Sequence, residues 1–209
     1  MECGGETTVF LEVNKPALTI VVAGAGHIAQ KLTPMAKLLD FRVVVVDTRP
    51  EFANTDNLPD ADEVICGHPG ELPDLVSLDH NSYVVIVTHG HIHDKDALKA
   101  VLSSDVAYVG MIGSQHKVRV VLEQLLDEGA DMERLSRVYS PIGIDLGGGA
   151  PGEIAVSILS EIVAMQHGRL DRFRVRRNPL VETAVSLSSA SGATMGTDAV
   201  GGGRSQCCS

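Results

Sequence analysis

At 209 residues with 44% hydrophobic content, the chain can bury the core of one α/β domain. A formal charge of −10, 3% aromatic residues and no Trp argue against nucleic-acid binding and against an anionic membrane surface, which need basic patches or stacking rings. No apolar stretch reaches the length of a membrane span and MECGGETTVF lacks a signal-peptide pattern, so a cytoplasmic location is expected.

Residues 1–15 read as a lead-in, with an extended piece at Thr8 to Val13. Leu18 to Ala23 is an unbroken apolar run, the mark of a strand covered on both faces. Gly24-Ala25-Gly26-His27-Ile28-Ala29 then makes a G-x-G-x-x-A turn. A helix follows with Ile28, Leu32, Met35, Leu38 and Leu39 on one side, and Pro34 inside it should bend it. Val43 to Val46 is the second strand and ends in Asp47.

Strand, glycine turn, helix, strand and acid in that order make a dinucleotide-binding βαβ unit. Gly24 permits the tight turn, Gly26 lets a pyrophosphate approach the backbone, and Ala29 keeps the helix close to the sheet. The first turn of the helix offers unpaired N–H groups and a positive dipole end to an anion. Asp47 stands where such units hold a ribose hydroxyl. Arg49 could accept a 2′-phosphate, but Asp47 would repel one; a free ribose is the better fit, with Arg49 facing another phosphate. His27, inside the turn, is placed for a ligand contact.

Asp47 to Phe52 leaves the second strand as a loop, since Pro50 forbids its continuation, and Ala61 to Cys66 forms a short third strand broken by Gly67 and Pro69-Gly70. Ser82 to Thr88 is a central, β-branched strand. His89-Gly90-His91-Ile92-His93-Asp94 follows, with Asp94 capping a helix over Lys95 to Leu102. Val106 to Met111 is the next strand, and Ser114 caps a helix carrying Val118, Val121, Leu122, Leu125 and Leu126. Arg137 to Tyr139 is a last short strand, and Pro151 opens a final amphipathic helix ended by Gly168. From residue 169 the composition turns charged and then Ser-, Gly- and Ala-rich, so residues 169–209 are expected to be a disordered tail after a single domain over 16–168. Alternation of strands and helices predicts a doubly wound, mostly parallel, Rossmann-like sheet with its site at the carboxyl ends of the strands.

Two further features could carry chemistry. His89, His91 and His93 beside Asp94 suit a divalent metal or proton transfer; the alternative is a polar loop that caps the next helix. Gly147 to Gly149 is either a second anion nest or a flexible turn, and the turn is favoured. Cys3, Cys66, Cys207 and Cys208 form neither a disulfide framework nor a zinc pattern; Cys66 reads as a buried, inert thiol rather than a reactive one.

Five stretches in order resemble the Rossmann domain of the XdhC/CoxI family, the xanthine dehydrogenase accessory proteins. They are GAGHIAQKLTPMAKLLDFRVVVVDTRPEFAN, ICGHPGELPD, VVIVTHGHIHDKDAL, YVGMIGSQHK and SPIGIDLGGGAPGEIAVSILSEIVA, together spanning about Pro16 to Gly168. The resemblance implies maturation of a molybdenum hydroxylase rather than hydride transfer: holding molybdenum cofactor, supporting its sulfuration and delivering it to the apo-enzyme. Carried over by motif, the ligand candidates are Gly24, Gly26, His27, Asp47, Arg49, Glu51, His89, His91, Asp94, Gly113 and Ser114. Partners so implied are the hydroxylase apo-enzyme, a cysteine desulfurase, and a separate protein carrying the family's cysteine-containing N-terminal domain, since about 15 residues precede the Rossmann stretch. A homodimer is expected from the exposed edges of small Rossmann sheets. The competing readings are a small NAD(H)-dependent oxidoreductase, with His89 or His91 as proton donor, and an NAD(H)-sensing module.

Overall fold

The computed structural model describes residues 8–10, 16–173 and 178. Five strands form one fully parallel sheet: β1 (Thr19–Ala23), β2 (Arg42–Asp47), β3 (Glu63–Cys66), β4 (Ser82–Ile86) and β5 (Tyr108–Met111). Their order is β3-β2-β1-β4-β5. The chain winds outward from β1 in one direction, then crosses over and continues from β4 in the other, as the doubly wound expectation requires. Val21 of β1 faces Val44 on one side and Val84 on the other.

Helices cover both faces, which is why β1, β2 and β4 read as continuous apolar runs. On one face Ile20, Val22, Val43, Val45 and Val85 pack against α1 (His27–Leu38) and α6 (Pro151–Gln166). On the other, Val21, Val44, Val84 and Ile86 meet α2 (Leu72–Leu75), α3 (His91–Val101), α4 (Gln115–Asp127) and α5 (Met132–Ser136). No helix among the described residues is long and apolar enough to cross a membrane.

The structure corrects several local expectations. The buried stripe of α1 is Ala29, Leu32, Thr33 and Ala36, and Leu38 and Leu39 are exposed at its end. Its neighbours are the sheet and α6, whose Ala155, Ile158, Leu159 and Ile162 share one core with Ala29, Leu32 and Ala36. Pro34 lies in its interior without ending it. The predicted strand over Arg137 to Tyr139 reduces to one parallel bridge between Tyr139 and Gly110. Helix α3 begins at His91 with Gly90 as its cap, so Asp94 is not the cap but lies inside the first turn, fully buried. Cys66 is exposed, not buried, because β3 is an edge strand and Cys66 is its last residue. At the start of the expected tail, Leu170–Arg172 forms a short 3-10 turn. The rest of that tail, Arg169, Phe173 and Asn178 apart, lies outside the described residues, as do Cys3, Cys207 and Cys208.

Candidate functional site

Rossmann sheets bind ligands where the winding reverses, at the carboxyl ends of the strands. Here that point lies between β1 and β4, where the Gly24 turn meets the loop after β4. Gly24 has φ +114°, and a Cβ on it would stand 2.4 Å from the Val87 carbonyl oxygen. Its glycine is therefore required twice, by the left-handed conformation and by contact with the neighbouring loop's backbone. Gly26 is different. It caps α1 with ordinary φ −78°, no side chain caps the helix, and a Cβ there would meet nothing within 4 Å. The space in front of the first helical amides is open, with no acidic residue in the first turn to fill it.

A cavity of about 130 Å³ adjoins this turn, lined by Gly24, Asp47, Thr48, Arg49, Pro69, Thr88, His89 and His93. The sheet thus brings together the glycine turn, the acid that ends β2 and the histidine loop after β4. His27 is exposed at the start of α1 and Glu51 is exposed in the loop after β2; neither lines this cavity. His89 is exposed at its rim. Gly113 borders a separate cavity of about 230 Å³ with Pro141 to Ile144 and Gly147 to Gly149. Ser114 accepts a hydrogen bond from the Lys117 N–H at 3.2 Å, the helix-cap role expected of it. A larger cavity of about 660 Å³ opens beside Ser103 to Val109, at the amino end of β5. It lies at the wrong end of the strands for a Rossmann ligand, so the smaller cavity marks the candidate site.

Asp47 is buried and fully engaged. Its carboxylate accepts from the Ala25 N–H at 2.8 Å, the Arg49 N–H at 3.0 Å, and the Arg49 guanidinium at 2.9 and 2.8 Å. Four donors fill the acceptor capacity of a carboxylate. Burial alone would push this acid up, but the Arg49 and Ala25 hydrogen bonds and the Arg49 charge outweigh it and hold the carboxyl below its usual range. Arg49 also lies over the Phe52 ring, 4.0 Å from its centre. So Asp47 and Arg49, read from sequence as ribose and phosphate contacts, here brace the glycine turn against the end of β2.

The loop after β4 is braced similarly. Thr88 donates its hydroxyl to Asp94 at 2.6 Å, and Lys117 of α4 forms an ion pair with the same buried carboxylate. Lys117 and Thr88 were not singled out from sequence. The signal was the run of apolar positions beneath Asp94, which leaves an acid on the inner side of α3. Gly147 to Gly149, the second glycine turn, is closed: Glu153 accepts from the Gly149 and Ala150 N–H groups, both at 2.9 Å. That agrees with the turn reading.

Glu161 is a further buried acid missed in the sequence. It lies on the apolar stripe of α6 with Ile158 and Ile162 and accepts from the Tyr108 hydroxyl at 2.5 Å and the Gly143 N–H at 3.1 Å. Burial pushes its carboxyl up despite those two bonds, and burial beside it pushes the Tyr108 phenol well up. Its contacts tie α6 to β5 and to the Ile142–Ile144 segment.

The XdhC Rossmann domain model matches residues 20–162. The uncharacterized protein YqeB of Escherichia coli (strain K12) is 29% identical over 167 residues, covering 79% of this chain and 30% of that protein. A probable xanthine dehydrogenase subunit of Bacillus subtilis (strain 168) is 28% identical over 157 residues, covering 75% of this chain and 46% of that protein. A crystal structure of a xanthine dehydrogenase from Bacillus halodurans superposes with a TM-score of 0.65 at 28% identity, covering 74% of this chain and 44% of the other. The chain spans less than half the length of these curated relatives. With the motifs of the five stretches on the matched strands and turns, the chain belongs to the XdhC family through its Rossmann domain.

Proposed function

We propose that this chain is an accessory protein for maturation of a molybdenum hydroxylase of the xanthine dehydrogenase type, holding an anionic cofactor at the Gly24–Gly26 turn. The observation that carries the reading is the open start of α1. Its start has no side-chain cap, a Cβ on Gly26 would meet nothing within 4 Å, and Gly24 of the turn lines a cavity at the winding reversal. A phosphate-bearing pterin, with or without a nucleotide extension, presents the anionic group that such a helix start accepts. The family membership supports the same role. When bound, the cofactor supplies the molybdenum centre that the client enzyme needs. The residues of this chain that would hold it are those of the turn, with His89 and His93 along the cavity.

The nicotinamide alternatives ask Asp47 to accept from ribose hydroxyls. Its four acceptor positions are already taken by Ala25 and Arg49, so a ribose diol would have to displace the Arg49 guanidinium. The accessory reading needs no such displacement.

The test uses apo-hydroxylase of the xanthine dehydrogenase type and the full chain preloaded anaerobically with molybdenum cofactor. Hydroxylase activity should rise with the preloaded chain and should not rise with a preloaded Gly26→Trp variant. Equal activation by both, or by free cofactor alone, would sink the proposal. NADH oxidation by the chain across a panel of carbonyl substrates would favour the oxidoreductase instead.

A further inference from the structure

We propose a divalent-cation site, of the zinc class, formed by His68, His93 and Asp96. It differs from the His89, His91 and His93 set that the sequence suggests: only His93 is common to both. One ligand atom from each of the three residues lies within 4.8 Å of the others, and all three side chains are half-buried. His93 and Asp96 are three residues apart on α3 and so share one face of the helix. His68 arrives from the loop after β3, where it starts the 3-10 turn Pro69–Glu71 that packs on α3.

Three details point to a ligand rather than to a self-contained cluster. The His68 Nε2 and an Asp96 carboxylate oxygen are 3.9 Å apart, too far for a hydrogen bond. His93 Nδ1 is buried with no hydrogen-bond partner among the described residues, which is costly for a polar atom. The two imidazole rings meet edge-on with centres 5.3 Å apart, so they converge without bonding to each other. A tetrahedral ion with bonds of about 2.0–2.1 Å spaces its ligand atoms by about 3.3 Å, so side-chain rotations that draw atoms now within 4.8 Å of one another closer by up to about 1.5 Å complete the set. His68 Nδ1 now accepts from the Gly70 N–H at 3.1 Å. Coordination through Nε2 moves the ring proton to Nδ1 and gives up that contact.

Two imidazoles and one carboxylate suit zinc, cobalt or iron and leave at least one position open. Of the three ligands, His93 also lines the cavity at the winding reversal, beside Pro69, Gly24 and Asp47. The site thus borders the cavity that Gly24 of the glycine turn also lines. It stands independently of which cofactor the turn accepts.

The probe is cobalt(II) chloride, titrated into the full metal-stripped chain and followed by visible absorption and by metal content after desalting. The expected result is one cobalt per chain with d–d bands and no thiolate charge-transfer band, competed away by zinc. His93→Ala and Asp96→Asn should each weaken binding at least tenfold with an unchanged far-ultraviolet circular dichroism spectrum, whereas His116→Gln, on the exposed side of α4, and Cys207→Ser/Cys208→Ser should bind as the parent chain does. No retained cobalt, a thiolate band lost with the cysteine variant, or binding indifferent to His93→Ala and Asp96→Asn would overturn the proposal.

Discussion

Two glycine turns lead into helices in this domain, and they behave oppositely. Before α6, Gly147 to Gly149 folds over a carboxylate from its own helix, and Glu153 takes the amides that an anion would need. Before α1, Gly24 to Gly26 leads into a helix with no side-chain cap and no acid in its first turn. Both sequences offer glycines before a helix, so the glycines alone do not make a binding site. What separates them is whether the helix that follows supplies its own anion to its cap. The first turn gives its Ala25 amide to Asp47 and packs Gly24 on the Val87 backbone, but leaves the start of α1 without a side-chain cap.

The largest effect is expected where that stiffening is backbone against backbone. Gly24→Ala combines a positive φ with a 2.4 Å approach to Val87 and should destabilise the fold by about 3–5 kcal/mol, read from urea unfolding. Gly26→Ala, two residues on, should change stability by less than about 1 kcal/mol. Equal losses at the two glycines would break the distinction between a structural and a ligand-facing position.

Next in size is the brace under the loop that faces the open turn. Lys117→Met leaves the Asp94 charge buried without its cation and should cost about 3 kcal/mol in the same assay. Glu153→Ala should cost about 1 kcal/mol, because it removes the acceptor of two exposed amides and leaves the second turn uncapped. If Glu153→Ala costs nothing, the carboxylate does not close that turn.

The smallest effects concern pH. Asp47 is held below its ordinary value in the folded chain, so the unfolded chain binds the extra proton first as pH falls. Its contribution is complete above the unfolded value near 3.8 and is lost on acidification below it. Glu161 is raised, so its sign is opposite: stability falls as pH climbs from about 4.5 through its folded value. Arg49→Met should therefore reduce stability at neutral pH and flatten the acid limb, and Glu161→Gln should flatten the slope above pH about 4.5. Urea unfolding between pH 3 and 7 distinguishes the two limbs.

Much of the βαβ unit was legible because its signals are local. Apolar runs, the G-x-G-x-x-A spacing and the acid after β2 all sit within one continuous stretch, and the structure places them as read. The less legible positions depend on how side chains fold back on one another. Asp94 looks like a helix cap until Lys117 and Thr88 are seen around it. Arg49, two residues on, folds back on Asp47, a pairing that no periodicity announces. His68 lies in a different stretch from His93 and Asp96, and only the packing of the Pro69–Glu71 turn on α3 makes it their neighbour. Leu38 and Leu39 fit the helical period and are exposed, since the period marks a side but not where the covering partner stops.

The most direct test gives the first turn what the second already has. Gly26→Asp places a carboxylate at the cap of α1, in space that is open and at a φ that any residue adopts. Parent chain and variant are mixed anaerobically with molybdenum cofactor, ultrafiltered and assayed for bound molybdenum, with thermal unfolding alongside. The account predicts stoichiometric molybdenum on the parent, none on Gly26→Asp, and a variant as stable as the parent or more stable by a few tenths of a kcal/mol, about what an acidic cap adds over glycine. A variant that folds normally and keeps its molybdenum, or a parent that retains none, would contradict it.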